Sequence, residues 1–575
     1  MKTSQSHAGS VLGLEIGSAN TRGFFFDVVE DSYRLIASGM VPSTHGEPGF
    51  DTGEAILEVI TRLQEVTGRA LLDRGGGLIM PAHSTGEGVD QFFVTSSCAP
   101  ALKMVAVGLL NEVSLESAKR LAHTTYGNLV EAIGINDRRP LNLQMDALLA
   151  ARPDLILFAG GTDNGANRSL TRTADMISSV LGILPRGHRP QVLYCGNQAL
   201  AGELKYAFEK YTSVRVAPNI RPSLEDEVLA PASNELSAMV MEKLYEQVNG
   251  LARLSPLCST PPQLSSQAFH HVIKFLGRQY DPGKGVLGLD VGADYSVAAY
   301  ANDRFTALNT LNLGLGAGIE ELLVKTDIKE ISRWLKSPIK DNEVSDYLWN
   351  RSLYPLTVAT SPVEVEIELA AVRQVLRLMT HELSVREALP STHFEPILLS
   401  GSAINRTATP VQSLLVILDG IQPLGISPLI LDKHGILPVL GAAAGINPLL
   451  GVQLLESTAF TNLATVVNIL SKAHAGSTLL NARLDYTDGN FIEAEVKQGS
   501  IVSLPLPPGA TGQLHLRSVR RVEIEETLTG HDPVKVMGGV CGVVLDARGR
   551  PIRLPEDAER RQRLFQDWEF LLGSK

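Results

Sequence analysis

Two carboxylates, Glu15 and Asp290, sit in stretches of one design. The first reads Val11-Leu-Gly-Leu-Glu-Ile-Gly-Ser-Ala-Asn-Thr-Arg-Gly-Phe-Phe-Phe26, and the second Val286-Leu-Gly-Leu-Asp-Val-Gly-Ala-Asp-Tyr-Ser-Val-Ala-Ala-Tyr300. In each, an apolar run climbs to a carboxylate, a glycine follows two residues later, and a second apolar run returns. That pattern predicts a buried strand, a tight turn and an antiparallel strand, with the acid near the end of the first strand. A glycine turn lets a phosphate approach backbone N–H groups. A carboxylate beside it suits a hydrated Mg²⁺ or an attacking water. Either stretch alone also reads as an ordinary hairpin with an acidic turn. The pair changes that: two copies half a chain apart predict a duplicated domain, with one acidic turn on each side of a cleft.

Composition sets outer limits. The chain has 575 residues, 44% hydrophobic and 20% charged, with a net charge of −11. That is globular composition with material for several domains, and the acidic balance argues against general nucleic-acid binding. Cys98, Cys195, Cys258 and Cys541 form no CxxC pair. A zinc ribbon is therefore not expected, and a reducing cytoplasm is. The polar start Met1-Lys-Thr-Ser-Gln predicts no signal peptide, and no apolar run reaches membrane-spanning length.

The elements that must position the carboxylates follow in order. Residues 1–10 read as a tail and 11–250 as the first domain. Within it, strand–loop–helix alternation predicts an inserted, mainly parallel α/β sheet. Gly160, Gly161 and Thr162, with Asp163 and Asn197, follow strands of that sheet, where ligands bind in such folds. The same residues also make plain βα turns. Residues 251–285, with Pro256, Pro261 and Pro262, read as a linker, and 286–475 as the second domain. Val365, Leu369, Val372, Leu376, Met379 and Leu383 predict an amphipathic helix whose stripe is core. Leu437-Pro-Val-Leu-Gly-Ala-Ala-Ala-Gly445 predicts a close-packed helix crossing between domains. Period-two patterning from Leu480 predicts a small β domain over 476–555, with a closing helix in 556–575.

Several of these stretches together resemble the MutL family of glutamate mutase-associated proteins, which share the actin, Hsp70 and sugar-kinase type of ATPase fold. They are Leu14-Glu-Ile-Gly-Ser-Ala-Asn-Thr21, Ser96-Ser97 with Leu102-Lys-Met-Val-Ala-Val-Gly-Leu109, Ala159-Gly-Gly-Thr-Asp-Asn-Gly165, Asn219-Ile220, Leu289-Asp-Val-Gly292, Leu398-Leu-Ser-Gly401, and Gly538-Gly-Val with Asp546-Ala-Arg-Gly549. The resemblance implies an α/β chain of duplicated actin-like (ribonuclease H-like) ATPase domains with a small C-terminal β domain. It implies ATP and Mg²⁺ in the cleft, and a chaperone role in reactivating an adenosylcobalamin-dependent mutase, with mutase subunits as partners and a homo-oligomer left open. On that model Glu15 and Asp290 serve catalysis and metal. Gly17, Ser18 and Thr21 form the first phosphate loop and Gly292 and Ser296 the second. Gly160, Gly161 and Thr162 contribute to nucleotide binding, and Gly401 and Ser402 support the adenosine. Two departures bear on turnover: Glu15 stands where the family usually has Asp, and Asp294 adds negative charge to the second loop. A small-molecule kinase or hydantoinase/oxoprolinase-like enzyme on the same fold, and an inactive actin-like scaffold, are the alternatives.

Overall fold

The computed structural model describes residues 9–44, 51–98, 102–165, 167–387, 389, 392–525 and 533–573. Residues 1–8 of the expected tail lie outside that set. The first hairpin forms as its pattern predicts. Strand β1 (Val11–Ile16) is buried along its whole length, and β2 (Asn20–Val29) pairs with it antiparallel. Strand β3 (Ser32–Pro42) extends the meander, and β4 (Gln91–Ser96) joins the other side of β1 in parallel.

The chain then leaves to build a separate sheet from β5 (Lys103–Val107), β6 (Asn128–Ile133), β7 (Leu155–Phe158), β8 (Gln191–Tyr194) and β9 (Val214–Val216). All its pairings are parallel and its order is β6-β5-β7-β8-β9, so the insertion is a doubly wound α/β sheet. On returning, the chain adds β10 (Gln263–Leu264) beside β4, which completes the order β10-β4-β1-β2-β3.

The second half repeats that plan. Strands β11 (Val286–Val291), β12 (Ser296–Ala301) and β13 (Thr306–Leu311) form an antiparallel meander. Strands β14 (Ile397–Ser400) and β15 (Ile426–Asp432) add in parallel on the far side of β11. The order β13-β12-β11-β14-β15 matches the first sheet strand for strand. Two sheets of one topology, each centred on a strand with a carboxylate one residue before its end, are the duplicated actin-like domains. The sheet continues through β16 (Phe460–Asn468). The period-two region supplies β17 (Thr478–Tyr486), β18 (Phe491–Lys497), β19 (Ile501–Leu504), β20 (Thr511–Ser518), β21 (Val534–Met537) and β22 (Val543–Asp546). Only β18-β17-β20-β21 make a separate sheet, whereas β22 and β19 join the edge of the second-half sheet.

The expected β domain is thus not independent. Asp546 at the end of β22 accepts from Arg548 and Arg550 at 3.0 and 2.9 Å, and Arg548 donates to Asp419 at 2.7 Å. Burial alone would raise the Asp546 carboxyl, but the two guanidiniums hold it far below the usual range. Arg548 also lies over the Trp568 ring at 4.6 Å, which ties in the closing helix Ala558–Leu571.

Residues 251–285 are not the expected linker. Pro256 lies in the short helix Ser255–Leu257, and the helix Ser265–Gly277 buries Ala268, Phe269, Val272 and Ile273 between the halves. This helix packs on β11 and β12, and the helix Leu437–Ala443 packs on β1 and β4. Asp432 turns the chain into the latter by accepting the N–H groups of Gly435 and Leu437 at 2.8 and 2.9 Å. The two helices cross at Gly441, where an added Cβ would stand 1.8 Å from the Ala268 carbonyl oxygen. Each central strand yields to its helix through a glycine. A Cβ on Gly13 would meet Val439 at 2.3 Å, and one on Gly288 would meet Ile273 at 2.4 Å.

The crossing leaves no room for a side chain. Gly441→Val is expected to cost at least about 3 kcal/mol in denaturant unfolding, because backbone rather than a flexible side chain blocks it. Gly445→Ala, where nothing lies within 4 Å, is the matched control and should change stability by under about 0.5 kcal/mol.

Candidate nucleotide cleft

Glu15 stands one residue before the end of β1, opposite Arg22 on β2. Register therefore sets the first contact: Arg22 Nη1 meets Glu15 Oε2 at 3.1 Å. Ser97 Oγ donates to Glu15 Oε1 at 3.0 Å, and Ser265 Oγ reaches the same oxygen at 3.5 Å. Glu15 is 6% exposed and held on both oxygens.

Asp290 holds the equivalent place on β11 and is partly open. Burial, then the nearby Glu15 charge, push its carboxyl up to about 6, against the opposing pull of Arg22 and a hydrogen bond with Ser400. The two carboxylates line one cavity of about 200 Å³. Gly17, Ser18 and Gly292 from the two turns line it too, as does Ser402. The turn glycines are sterically required: a Cβ on Gly17 would lie 2.7 Å from Asn20 O, and one on Gly292 2.3 Å from Tyr295 O.

Several expected residues fall elsewhere. Ser296 is fully buried, and its hydroxyl donates to Leu313 O at 2.7 Å, away from the cavity. Its place at the start of β12 turns it into the core, where a polar side chain must find a carbonyl. Thr21 is buried, with its hydroxyl 3.0 Å from that of Ser43. Gly401, at φ +131°, lets the end of β14 press on β11, where a Cβ would be 2.6 Å from Val291 O. Gly160, Gly161 and Thr162 follow β7 in the inserted sheet and do not line the cavity. Their loop is tied to the segment after β9: Asn219 donates to Gly161 O at 3.0 Å and to Asp163 Oδ1 at 2.9 Å. Asp294, which sequence places beside the phosphates, is also not among the cavity's lining residues.

Sequence reasoning missed much of the wall. Arg22 was recoverable, because the hairpin register puts it opposite Glu15. Tyr126 and Tyr295 meet edge to face at 5.3 Å and bring the inserted region against the second turn. Thr310 N fixes the approach to Tyr126 by donating to His123 O at 2.7 Å. Arg351 and Glu368 pair at 2.9 Å and line the opposite wall with Arg406. Arg351 Nη1 also donates to Tyr354 O at 3.1 Å, which holds segment 354–358 over the cavity. These residues converge only through tertiary packing, so no local signal points to them.

The arrangement offers two glycine turns, the carboxylates of Glu15, Asp290 and Glu368, and the guanidiniums of Arg22, Arg351 and Arg406 around one space. Anionic phosphates and a hydrated divalent cation are the chemistry this charge pattern suits. Among the described residues no cluster of three or more His, Cys, Asp or Glu could hold a metal alone. The donor set therefore fits a cation that arrives with phosphate and takes one or two carboxylates, as Mg²⁺ does, rather than a resident protein-caged metal.

Comparison with known proteins agrees with the motifs. A family model described as MutL protein matches residues 11–459. Protein MutL of Clostridium tetanomorphum is 30% identical over 152 residues, which is 26% of this chain and 31% of that protein. The match thus spans about a third of the relative's length. Among solved structures, a xylulose kinase from Bifidobacterium adolescentis aligns with 79% of this chain and 94% of its own, at 11% identity and a TM-score of 0.28. An inorganic polyphosphate/ATP-glucomannokinase from Arthrobacter sp. strain KM aligns over 76% and 98%, at 11% identity and a TM-score of 0.26. With the family model running from β1 to the start of β16, the chain belongs to the MutL protein family.

Proposed function

We propose that this chain binds Mg·ATP between its two halves and uses the nucleotide state to reactivate an adenosylcobalamin-dependent mutase of the glutamate mutase type. The observation that carries the nucleotide part is the meeting of Glu15 and Asp290, from separate hairpins, in one cavity. The mutase part comes from the family resemblance and the name of the clostridial relative. No helix among the described residues is long and apolar enough to cross a membrane. The cysteines are unpaired, which supports the proposed cytoplasmic setting.

In this reading Asp290 is the cation-holding carboxylate, because it is open to the cavity while Glu15 is already held by Arg22 and Ser97. Bound Mg²⁺ would neutralise phosphate charge in transfer to water. The backbone of the Gly17 and Gly292 turns orients the phosphates, and Arg22 supplies a positive charge beside them. Catalysis is then positioning and charge stabilisation. With Glu15 committed to Arg22, turnover is slow, and this favours a nucleotide-driven conformational role over rapid metabolic kinase chemistry. The cavity of about 200 Å³ is smaller than the roughly 300–1,000 Å³ of small-molecule sites. Nucleotide entry requires the halves to part, and closure around ATP is the step that changes affinity for a partner.

The test is calorimetric titration with ATP, with and without Mg²⁺, paired with phosphate release. Mg²⁺-dependent binding and slow release are expected. Asp290→Asn should abolish release and weaken Mg²⁺-dependent binding at least about tenfold, or ~1.4 kcal/mol. Wild-type release in Asp290→Asn would remove Asp290 from the mechanism. Co-purification with a cobalamin-binding subunit, released on adding ATP, checks the partner.

Asp290 also makes a stability prediction. Its proton is held up to about 6 in the folded chain, against an ordinary 3.8. The folded state binds that proton more tightly, so its ionisation costs stability as pH rises through this window, and the cost persists above it. Asp290→Asn should therefore raise the unfolding midpoint more at about pH 8 than at about pH 5. An equal or lowered midpoint at the higher pH would show that Asp290 is not strained by burial and by Glu15. Over the same window, Mg²⁺-dependent ATP affinity of the wild type should fall as pH drops below about 6.

A further inference from the structure

Among the described residues that line the nucleotide cavity, Tyr126 alone comes from the inserted region. It lies between the helix Glu116–Ala122 and β6, and it is 1% exposed. Neither actin-like hairpin supplies it. The cavity of the duplicated fold is therefore completed by a side chain that the duplication does not explain.

The segment that carries Tyr126 is fastened to the second half. Thr310 on β13 donates its N–H to His123 O at 2.7 Å, and its hydroxyl donates to Thr125 O. Gln267 on the helix Ser265–Gly277 donates to Thr124 O at 3.2 Å. The Tyr126 ring then meets Tyr295, in the second glycine turn, edge to face at 5.3 Å. In the other direction the helix Glu116–Ala122 packs on β5, β6 and β7. These contacts make one contiguous route from the second turn to the inserted sheet.

The surroundings of the hydroxyl say what it meets. Burial, then the Asp290 charge, raise the phenol well above its ordinary 10, so it keeps its proton and acts as a donor. Glu15 acts on it in the same sense, more weakly. A neutral donor near Asp290 can reach an anion there without competing with a cation, as a lysine or arginine would. In phosphoryl transfer the cation bridges the last two phosphates, so the Asp290 end of the cavity is the terminal-phosphate end.

We infer that Tyr126 donates its hydroxyl to the terminal phosphate of ATP, and that this contact makes the seating of the inserted sheet differ between the ATP and ADP states. The inference rests on the Mg·ATP reading above. It makes the inserted sheet the element that reports nucleotide state, with Tyr126 as its contact to the nucleotide.

Two measurements on the full chain test it. The first is calorimetric titration of wild type and Tyr126→Phe with the Mg²⁺ complexes of ADP and of a non-hydrolysable ATP analogue. The substitution keeps the ring against Tyr295 and removes only the hydroxyl. Affinity for the ATP analogue should fall about tenfold and affinity for ADP less than about twofold, because a hydrogen bond to a charged group is lost only with ATP. A purely structural role would lower both alike, so an equal loss, or none, would overturn the assignment. The second is hydrogen exchange of the wild type over residues 116–126, which should be slower with the ATP analogue than with ADP. Equal exchange would overturn the coupling, whatever the variant does. Either negative result, with Mg²⁺-dependent ATP binding intact in the wild type, leaves the nucleotide reading standing, whereas no wild-type binding of ATP would overturn both.

Discussion

The structure depends on a steric constraint: two helices pass between two sheets at a point with no room for a side chain. Gly441 lies against the Ala268 backbone, and Gly13 and Gly288 make space for Val439 and Ile273. Each acidic hairpin motif is thereby explained residue by residue. Its first glycine seats a helix, its carboxylate stands near the strand end, and its last glycine closes the turn. Because both copies obey the same packing rule, the hairpins are held mouth to mouth. The cleft is thus a product of core packing.

Bringing two carboxylates together costs electrostatic energy, and the structure divides the cost unequally. Glu15 is held by Arg22 and Ser97. Asp290 has Ser400 as a hydrogen-bond partner and Arg22 as a nearby opposite charge, and is pushed up to about 6 by burial and the Glu15 charge. A carboxylate raised in this way by burial and a like charge, in a cavity, is a candidate functional group. The helix Pro362–Glu387 extends this site outward. Glu368 faces the cavity, while Gln374 and Arg377, further along the same helix, line a separate groove.

Much of this was legible in sequence, for definite reasons. The paired Gly-Leu-acid-apolar-Gly stretches encode strand, turn and packing in neighbouring residues, so the duplication and its carboxylates could be read directly. The stripe Val372, Leu376, Met379 and Leu383 is buried as its spacing predicts. The alternation at Leu480, Ala482 and Leu484 pairs with Val496, Ala494 and Ile492 in the expected hairpin. Other readings failed where local chemistry has two uses. Gly160, Gly161 and Thr162 form a turn of the inserted sheet, and glycine-rich βα turns look alike with or without a ligand. Ser296 points inward because strand alternation, not residue type, chooses its face. The prolines of 251–285 suggested a linker, yet the apolar spacing of Phe269, Val272 and Ile273 prevailed. The wall formed by Tyr126, Arg351 and Arg406 comes from distant parts of the chain, and only the fold assembles it.

The central claim is that both acidic turns serve one nucleotide. Diffraction from crystals grown with Mn²⁺ and a non-hydrolysable ATP analogue tests it most directly, because the anomalous signal marks the cation without assumption. The account predicts the cation beside Asp290, with phosphates lying between the Gly17 and Gly292 turns. A cation and analogue bound in the inserted sheet, or an empty cleft at saturating analogue, would contradict it.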